Sequence, residues 1–504
     1  MASVRVLLVS TYELGHQPVL VASAAGALRQ AGHEVRAVDV ALQPLTPEPV
    51  AWAQAVALAV PMHTAARLAR AVAGRLRTER PELPLCFYGL YAMVAAEPAG
   101  DDGGRCDLAV AGETDAELVA WARQLDTQQL AVTAGAGAER HAGRPARPGA
   151  DAAQGAPLAP RRVVTLRRGP SSPPARDVLP PPSAYARLQV GGEQRLAAAV
   201  EASRGCTHRC RHCPVPVVYD GRIRVVPVET VVADVAGLVE QGVRHVTFSD
   251  PDFLNGPQHA RRVVDAVHGA FPELTFDVTV KVEHVLRHRD LWPHMAASGC
   301  LFVVSAFESA TDRILAVLDK GHSVADSVEA VAVLRAEGIE PRPSLLPFTP
   351  WTNPEDLAAL VDLVAGCDLG GNVDAVQYSI RLLVPPGSLL LTDGLLTSGQ
   401  LDGYDPELLG WRWRSPDPAL DALQQRLAAL AEQAGDEGWD TPTVTSAVRD
   451  AVGSVVPGGL GPAPEPPARL RSALPPELRP RLTEAWFCCA EPTGTQLQSA
   501  GGCR

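Results

Sequence analysis

Short apolar runs alternate with helical patterns in the first quarter of the chain. The apolar runs cover residues 4–10, 35–40, 56–60, 85–88 and 108–111. Between them, apolar side chains recur at helical spacing in residues 19–30, 64–78 and 115–125. Continuous apolar runs are typical of strands that are buried on both faces. The pattern therefore predicts an α/β domain with a parallel, doubly wound sheet and helices on both sides.

Small and polar residues follow the predicted strands of this sheet. Four of them are Thr11, Gly89, Gly112 and Glu113. In doubly wound sheets, ligands bind at the edge formed by the carboxyl ends of the strands. We therefore expect these four residues to face a ligand.

The composition changes after this first region. Residues 133–182 are rich in Ala, Gly, Arg and Pro and carry few large apolar side chains. Such a stretch cannot bury enough apolar surface to fold by itself, so we interpret it as a flexible linker. The expected organisation is a first domain at 1–128, a linker at 129–190, a second domain at 191–400 and a C-terminal extension at 401–504.

A second alternation of strands and helices fills residues 191–400. The apolar runs predict six strands, at residues 198–203, 243–248, 275–281, 301–307, 343–347 and 375–381. In β/α barrels the active groups collect at the carboxyl ends of such strands. After residue 400 the leucines recur at helical spacing, which predicts a mainly helical C-terminal extension.

Composition narrows the functional classes. The chain has 504 residues and a formal net charge of −12, which argues against nucleic-acid binding by bulk electrostatics. Ten cysteines are too few for a disulfide framework in so long a chain and suit a reducing cytoplasm. The N-terminus shows no signal peptide, and no apolar run is long enough for a membrane span. We expect a cytoplasmic protein with a small-molecule substrate and with neither nucleic-acid nor membrane partners.

Three cysteines lie close together after the first strand of the second domain. Cys206, Cys210 and Cys213 form a C-x3-C-x2-C pattern. Thiolates packed this closely need a cation, and such a loop can hold an iron–sulfur cube with each sulfur on a different iron. No fourth cysteine is near in the sequence, so one iron would stay open. The alternative is a zinc site in which His208 or His212 is the fourth ligand.

This motif resembles that of the radical S-adenosylmethionine (SAM) enzymes. The resemblance implies that the three cysteines hold a 4Fe–4S cluster and that the amino and carboxylate groups of SAM bind the open iron. It also implies a partial (β/α)6 barrel, reductive cleavage of SAM to a 5′-deoxyadenosyl radical, and an electron donor such as flavodoxin or ferredoxin. His212 fills the position at which this family usually carries an aromatic residue near the adenine.

The same resemblance suggests SAM contacts at the strand ends. Ser249 or Asp250 matches the second-strand position that contacts the SAM amino group, and Glu308 matches the fourth-strand acid that binds the ribose hydroxyls. Arg342 and Ser344 lie where the fifth strand approaches the adenine or the carboxylate. The segment that contains Lys320 resembles a family helix and is interpreted as structural.

The order of the two domains resembles the cobalamin-binding subclass of this family. A Rossmann-like domain precedes the core in that subclass, which implies cobalamin at the edge formed by Thr11, Gly89, Gly112 and Glu113. The sequence contains no Asp-x-His-x-x-Gly, the motif that supplies a histidine ligand to cobalt in some cobalamin proteins. Many members of the subclass also lack it. Cobalamin-dependent methylation of a small molecule is the reaction that this resemblance implies.

The chain end carries an unusual pair of cysteines, Cys488 and Cys489, in the sequence Trp-Phe-Cys-Cys-Ala-Glu-Pro. This ending resembles the CUAEP/CCAEP-tail radical SAM proteins, in which some relatives carry selenocysteine at the position of Cys489. A selenol is ionised at neutral pH, so the resemblance implies a catalytic role for the pair.

Two alternatives remain open at this point. One is a radical SAM enzyme without cobalamin that performs a rearrangement or carbon–sulfur or carbon–selenium chemistry through the tail cysteines. The other is a zinc-binding interaction protein without turnover.

Overall fold

A computed structural model of the chain describes residues 3–98, 105–138, 159–167 and 172–484. The first domain contains a six-stranded sheet in the order β2-β1-β3-β4-β5-β6. Its strands, all parallel, are β1 Arg5–Ser10, β2 Glu34–Asp39, β3 Ala55–Ala59, β4 Leu85–Tyr88, β5 Leu108–Gly112 and β6 Arg161–Thr165. Its helices are α1 Val19–Gln30, α2 Pro47–Trp52, α3 His63–Glu79, α4 Ala92–Ala95 and α5 Asp115–Ala138.

Apolar side chains cover both faces of this sheet. Leu7, Val9 and Leu58 pack into one hydrophobic cluster, whereas Leu8 and Tyr88 pack into a second one. Successive strand residues point to opposite faces, so a continuous apolar run fills both clusters at once. The predicted doubly wound sheet is confirmed.

The segment predicted as a linker supplies a strand to the first domain. Residues 161–165 form β6, which pairs in parallel with β5, and Val163 lies opposite Val110. The prediction of an unstructured linker is wrong for these residues. The reason is that an edge strand needs one apolar face only, and Val163, which packs against the cluster that contains Leu8 and Tyr88, provides it, whereas Val164 is exposed.

The second domain is built on a sheet that curls into an open half barrel. Its strand order is β14-β13-β12-β11-β8-β7-β17. The strands are β7 Arg187–Val190, β8 Glu193–Val200, β11 His245–Phe248, β12 Thr275–Thr279, β13 Cys300–Glu308, β14 Glu340–Leu345 and β17 Arg481–Leu482, with a separate two-stranded ladder of β9 Ser203–Gly205 and β10 Ile223–Val225. The helices are α6 Val215–Tyr219, α7 Val228–Glu240, α8 Pro257–Ala270, α9 Val282–Arg287, α10 Trp292–Ala297, α11 Asp312–Val317, α12 Val324–Ala336, α13 Pro354–Gly366 and α14 Leu389–Thr392.

Five strands of the half barrel run in parallel, and the predicted sixth strand is different. Residues 375–379 form a 3-10 helix, and pairing survives only as one bridge between Phe348 and Arg381. The side chain of Gln377 accepts a hydrogen bond from the backbone N–H of Leu345 at 3.0 Å. A side-chain oxygen thus accepts the hydrogen bond from a backbone N–H at the edge of β14, where a sixth strand would have offered a backbone carbonyl.

The C-terminal region is mainly helical, as predicted, and begins with a hairpin. The hairpin strands are β15 Leu401–Asp405 and β16 Gly410–Trp413, and the helices are α15 Pro418–Glu437 and α16 Thr441–Gly453. The hairpin turn inserts into the first domain, where Leu409 is fully buried and the carbonyl of Leu408 lies 2.6 Å from His63 Nε2. Among the described residues, no helix combines the length and the hydrophobicity that crossing a membrane requires.

A buried ion pair joins the two domains. Arg176, which lies in the predicted linker, donates to Asp234 at 2.9 and 2.7 Å, to the carbonyl of Ala199 at 2.7 Å and to the side chain of Gln17 at 3.3 Å. The side chains of Arg176 and Asp234 are only 6% and 4% exposed. Removing one partner of such a pair leaves a buried charge without compensation.

We expect Arg176→Met to destabilise the chain by about 3–5 kcal/mol, because the carboxylate of Asp234 would stay buried without its counter-ion. Thermal unfolding followed by circular dichroism measures the effect. The control is Arg29→Met, which breaks an ion pair with Asp177 whose side chains are 40% and 69% exposed, and which should cost less than about 1 kcal/mol. An equal loss of unfolding free energy in the two variants would show that the buried ion pair contributes no more to stability than the exposed one.

Candidate active site at the mouth of the half barrel

The cysteine loop begins at the carboxyl end of the first parallel strand. β9 pairs antiparallel with β10, and Gly205 lies opposite Ile223, so the loop closes like a wide hairpin. Gly205 has φ +79°, and a Cβ there would lie 2.3 Å from the carbonyl oxygen of Arg222. Only glycine fits at such an approach. This packing fixes the direction in which Cys206 enters the loop.

The three cysteines of the motif carry thiols in dry surroundings. Cys206 and Cys210 are buried and Cys213 is half-buried. Burial raises the pKa of the Cys206 thiol and raises the pKa of the Cys213 thiol to about 12. A bound cation is what converts such thiols into thiolates. The donor set fits a 4Fe–4S cluster, because one loop offers three sulfurs at the open face of the barrel.

The two histidines of the loop face other partners. His208 Nδ1 lies 3.1 Å from Lys281 Nζ, and His212 Nε2 lies 3.2 Å from Glu308 Oε1. Among the described residues, three or more ligand atoms of His, Cys, Asp or Glu side chains come within 4.8 Å of one another at one place, and that group contains no cysteine. The ligands of a single zinc ion lie closer together than that. The arrangement therefore does not support a zinc site of three cysteines and one histidine.

Glu308 ends β13 inside the barrel mouth in a strained conformation. Its backbone is left-handed, with φ +61°, and the pairing register of β13 shifts between Ala306 and Glu308. Strain of this kind costs about 1–3 kcal/mol and clusters at functional sites. Oε1 of Glu308 accepts a hydrogen bond from Lys320 Nζ at 3.0 Å and lies 3.2 Å from His212 Nε2.

The charge of Glu308 is held by its neighbours. Burial alone would raise the pKa of Glu308, but the ammonium of Lys320 and the imidazole of His212 outweigh it and keep the pKa well below its usual range. The side chain is therefore an ionised acceptor beside the cysteine loop, which suits hydrogen bonds from hydroxyl groups. A role in binding the SAM ribose stays a prediction.

Asp250, at the end of β11, holds the turn that leads into the cysteine loop. Its Oδ1 accepts a hydrogen bond from the backbone N–H of Ala202 at 2.8 Å, and its Oδ2 accepts one from the hydroxyl of Ser203 at 2.5 Å. Burial raises the pKa of Asp250 to about 7. Since both oxygens are engaged, this geometry favours positioning of the loop over direct contact with SAM. Ser249 is exposed at the same strand end.

Arg342 and Ser344 lie on one face of β14. The guanidinium of Arg342 donates to both oxygens of Asp374, at 3.0 and 2.9 Å, and to the carbonyl of Pro480 at 3.3 Å. It is thus occupied by the protein itself. Ser344 lies two residues closer to the mouth, opposite Ala306, and is buried. Of the two, Ser344 is better placed for the predicted contact with the adenine or the carboxylate.

Glu113 from the first domain also reaches the cysteine loop. Its Oε2 lies 3.5 Å from Arg204 Nη1, two residues before Cys206, and its Oε1 accepts a hydrogen bond from the hydroxyl of Tyr219 at 3.3 Å. Burial raises the pKa of Glu113, although Arg204 opposes that effect. The structure therefore brings the edge of the first sheet and the cysteine motif together.

The other predicted residues of this edge are packed against the protein. The Thr11 hydroxyl donates to the carbonyl of Ala65 at 3.1 Å. A Cβ on Gly89 would lie 2.7 Å from the carbonyl oxygen of Val60, and one on Gly112 would lie 2.2 Å from that of Thr165. These glycines allow close contact between backbone segments.

A small apolar cavity separates the first domain from the cysteine loop. Its volume is about 70 Å³, and its walls include Leu90, Met93, His212, Cys213 and Pro386. Pockets that bind cofactor-sized ligands measure about 300–1,000 Å³. The cavity in this conformation is too small to admit cobalamin, and the four residues expected to face that cofactor, Thr11, Gly89, Gly112 and Glu113, are not among its walls.

The predicted catalytic residues of the tail, Cys488 and Cys489, lie outside the described residues.

Comparison with known proteins settles the class of the second domain. Residues 200–364 match the sequence profile of the Radical SAM superfamily. The chain carries a radical SAM domain. Such a domain implies a 4Fe–4S cluster and SAM, and the matched residues include the cysteine loop, Glu308 and Ser344.

Curated relatives match about a third of this chain. A tRNA-2-methylthio-N(6)-dimethylallyladenosine synthase from Chlorobium luteolum is 26% identical over 171 residues, which are 31% of this chain and 36% of the relative. A ribosomal protein uS12 methylthiotransferase RimO from Parabacteroides distasonis is 26% identical over 185 residues, 34% of this chain and 41% of the relative. The chain thus spans well under half the length of the curated relatives that it matches.

Solved structures extend the likeness to most of the chain. The radical SAM methyltransferase TsrM from Kitasatospora setae, with cobalamin and a 4Fe–4S cluster bound, matches with a TM-score of 0.58 and 17% identity over 90% of this chain and 89% of that one. The cobalamin-dependent SAM radical enzyme OxsB, with aqua-cobalamin bound, matches with a TM-score of 0.60 and 12% identity over 84% of this chain and 66% of that one. At these identities the likeness concerns the fold, and it covers the first domain together with the radical SAM domain.

Sequence reasoning gave the two lysines of the radical SAM domain only minor roles, Lys281 in the substrate pocket and Lys320 in the structure. Lys281 and Lys320 are the only lysines in the 504 residues, although the chain has 45 basic residues in total. Both are buried, at 8% and 3% exposure, and their ammonium groups lie within 3.1 Å of His208 and Glu308 respectively. All the other basic residues counted in this chain are arginines, and the rarity of lysine was a signal that could have given these two residues more weight.

Proposed function

We propose that the protein is a radical SAM enzyme that acts on a small molecule. The single observation that supports this most strongly is the meeting of three cysteines of one loop, two of them buried, with the ionised Glu308 at the mouth of the half barrel. When bound there, a 4Fe–4S cluster with SAM supplies reductive cleavage of SAM to a 5′-deoxyadenosyl radical. An external electron donor such as flavodoxin or ferredoxin and a cytoplasmic location belong to the same proposal.

The residues of the chain divide this work among them. Cys206, Cys210 and Cys213 would hold the cluster, and Asp250 fixes the turn from which their loop departs. Glu308 offers an ionised oxygen to the ribose hydroxyls, while Lys320 keeps that oxygen charged. The burial of these groups excludes water, which strengthens each interaction at the site.

We further propose cobalamin as a second cofactor and methyl transfer as the reaction. The support is the order of the domains and the likeness in fold to two cobalamin-dependent enzymes. In the described conformation the 70 Å³ cavity beside Cys213 does not fit this cofactor. Binding at this cavity would require the loop at Leu90 and the turn at Pro386 to separate.

The small cavity also favours a second candidate, a radical SAM enzyme that works without cobalamin. The tail cysteines Cys488 and Cys489, whose sequence resembles the CUAEP/CCAEP ending, would then take part in carbon–sulfur or carbon–selenium chemistry. This candidate predicts that the first domain and the radical SAM domain stay closed during turnover.

Anaerobic reconstitution tests the main proposal. We expect about four irons per chain and conversion of SAM to 5′-deoxyadenosine when dithionite is added, as measured by mass spectrometry. Protein that holds the cluster but releases no 5′-deoxyadenosine would refute the proposed activity.

Gel filtration after incubation with hydroxocobalamin separates the two candidates. Co-elution of about one cobalamin per chain supports cobalamin dependence, and loss of cobalamin on the column supports the cobalamin-independent candidate. A Met93→Trp variant, which fills the cavity from the first domain, should abolish co-elution. A Met295→Leu variant, whose side chain packs in the core of the radical SAM domain, is the control.

A further inference from the structure

Three metal-ligating side chains converge beside the cysteine loop without being part of the cysteine motif. They are His208 in the loop, Asp252 after β11 and His284 on α9, and their ligand atoms lie within 4.8 Å of one another. His284 Nδ1 lies 2.8 Å from Asp252 Oδ2, His208 Nε2 lies 3.2 Å from His284 Nε2, and His208 Nε2 lies 3.8 Å from Asp252 Oδ2.

The carboxylate of Asp252 is oriented with one oxygen free. Asp252 is completely buried, and its Oδ1 accepts a hydrogen bond from the backbone N–H of Leu254 at 3.0 Å. Oδ2 of Asp252 and Nδ1 of His284, which is 4% exposed, both lack a hydrogen-bond partner despite the short distance between them. A buried His–Asp pair at this distance can share a proton, and it can equally bind a common metal ion.

The spacing of the three atoms suits one metal ion. Ligands at about 2.0–2.2 Å from a transition metal ion are about 3–3.5 Å from each other. His284 faces Asp252 Oδ2 with Nδ1 at 2.8 Å and His208 Nε2 with Nε2 at 3.2 Å, and one ligand atom from each of the three residues lies within 4.8 Å of the other two. Two imidazoles and one carboxylate are a set that binds zinc and other divalent first-row ions with coordination positions left open.

We propose that His208, Asp252 and His284 bind one divalent transition metal ion, with zinc as the first candidate, at a site separate from the iron–sulfur cluster. The open coordination positions would take an anionic group of the substrate. This goes beyond the proposed function and does not depend on it.

The surroundings can support such an ion. When Nε2 of His208 binds the metal, Nδ1 carries the proton, so Lys281, whose ammonium lies 3.1 Å from Nδ1 and can only donate, has to turn toward Glu283, and Nδ1 has to move closer to Glu283 Oε2, now 3.9 Å away. Carboxylates commonly orient metal-binding histidines in this way. Lys281, which also faces His208, is paired with the same Glu283 at 3.6 Å, so its charge is partly balanced.

Metal counting on the cluster-loaded full chain tests the proposal. After reconstitution of the iron–sulfur cluster, the protein is equilibrated with Zn²⁺, desalted and measured by inductively coupled plasma mass spectrometry. We expect about one zinc ion in addition to the iron, and zinc binding at least about 100-fold weaker in Asp252→Asn and His284→Gln. Iron content should not change in either variant.

The matched control is His288→Gln, since His288 caps the same helix and its ring centroid lies 5.6 Å from that of His284. It should keep its zinc. Circular dichroism of each variant shows whether the chain is folded. A wild type without zinc, or zinc retained in both Asp252→Asn and His284→Gln, would overturn the proposal, and zinc lost only in a Cys488→Ser/Cys489→Ser variant would assign the ion to the tail.

A cluster-free chain distinguishes this proposal from the proposed function. The full chain with Cys206, Cys210 and Cys213 all changed to Ala should still bind Zn²⁺ in a His284-dependent manner. If no variant ever forms an iron–sulfur cluster but this binding persists, the proposed function fails and the metal site stands. If zinc binding disappears with the three cysteines, the ion belongs to the cysteine loop and the proposal fails.

Discussion

Cys213→Ser is expected to reduce the iron content from about four per chain to below one and to lower SAM cleavage to the background level. Cys213 is one of three thiols that a single loop offers, and the fourth iron has to stay open for SAM. Serine is a much weaker ligand for iron, because its hydroxyl does not ionise near neutral pH. Anaerobic iron analysis, the absorption spectrum and 5′-deoxyadenosine release measure the loss.

Cys300→Ala is the control for this experiment. Cys300 is another buried cysteine of the radical SAM domain, at the start of β13 and outside the motif. This variant should keep both the brown colour and SAM cleavage. A Cys213→Ser protein that still released 5′-deoxyadenosine at the wild-type rate would remove the basis of the assignment.

Lys320→Met is expected to destabilise the protein by about 3–5 kcal/mol, because the buried carboxylate of Glu308 would lose its strongest counter-charge. The side chains of Lys320 and Glu308 are only 3% and 10% exposed. Thermal unfolding of the whole chain should show a midpoint about 3–5 °C lower, since an unfolding entropy of about 2.1 cal/mol/K per residue makes ~1 kcal/mol worth about 1 °C at this length. SAM cleavage should fall as well, since the carboxylate that is expected to bind the ribose would shift or become protonated.

A double variant separates stability from function at this pair. In Glu308→Gln/Lys320→Met both charges are gone, so most of the stability should return. SAM cleavage should stay low, because the amide lacks the carboxylate's charge. Arg469→Met, which breaks the exposed pair with Glu329 (59% and 40% exposed), should cost less than about 1 kcal/mol. If the double variant cleaved SAM at the wild-type rate, Glu308 would have no part in binding it.

The sequence pattern was sufficient to predict the two sheets and the position of the cysteine loop. Continuous apolar runs identify strands that are buried on both faces, and this holds for β1, β3 and β13. The prediction from apolar runs failed for β6, an edge strand that begins with two arginines. It also failed for residues 375–379, where the side chain of Gln377 takes the place of backbone pairing. Both failures lie at sheet edges, where a tertiary contact outweighs local pattern.

The candidate site could be predicted in part. The short spacing of Cys206, Cys210 and Cys213 was enough to predict them as ligands of one site, because residues this close in sequence are also close in space. The pairing of Asp252 with His284 joins two different β/α units, and that of Glu308 with Lys320 joins the end of β13 to the loop after α11. Such contacts depend on how the sheet curls, which no periodicity reveals.

The insertion of Leu409 into the first domain couples the position of the hairpin to that of the first domain. A cleft of about 590 Å³ lies between this hairpin and the barrel, with Arg381, Trp413 and Arg414 in its walls. If the first domain tilts away to admit a bulky corrinoid, the hairpin has to travel with it and the cleft changes shape. Binding of the corrinoid at the first domain would then control entry into the cleft between the hairpin and the barrel. We expect amide hydrogen exchange in the hairpin to become faster when cobalamin is added.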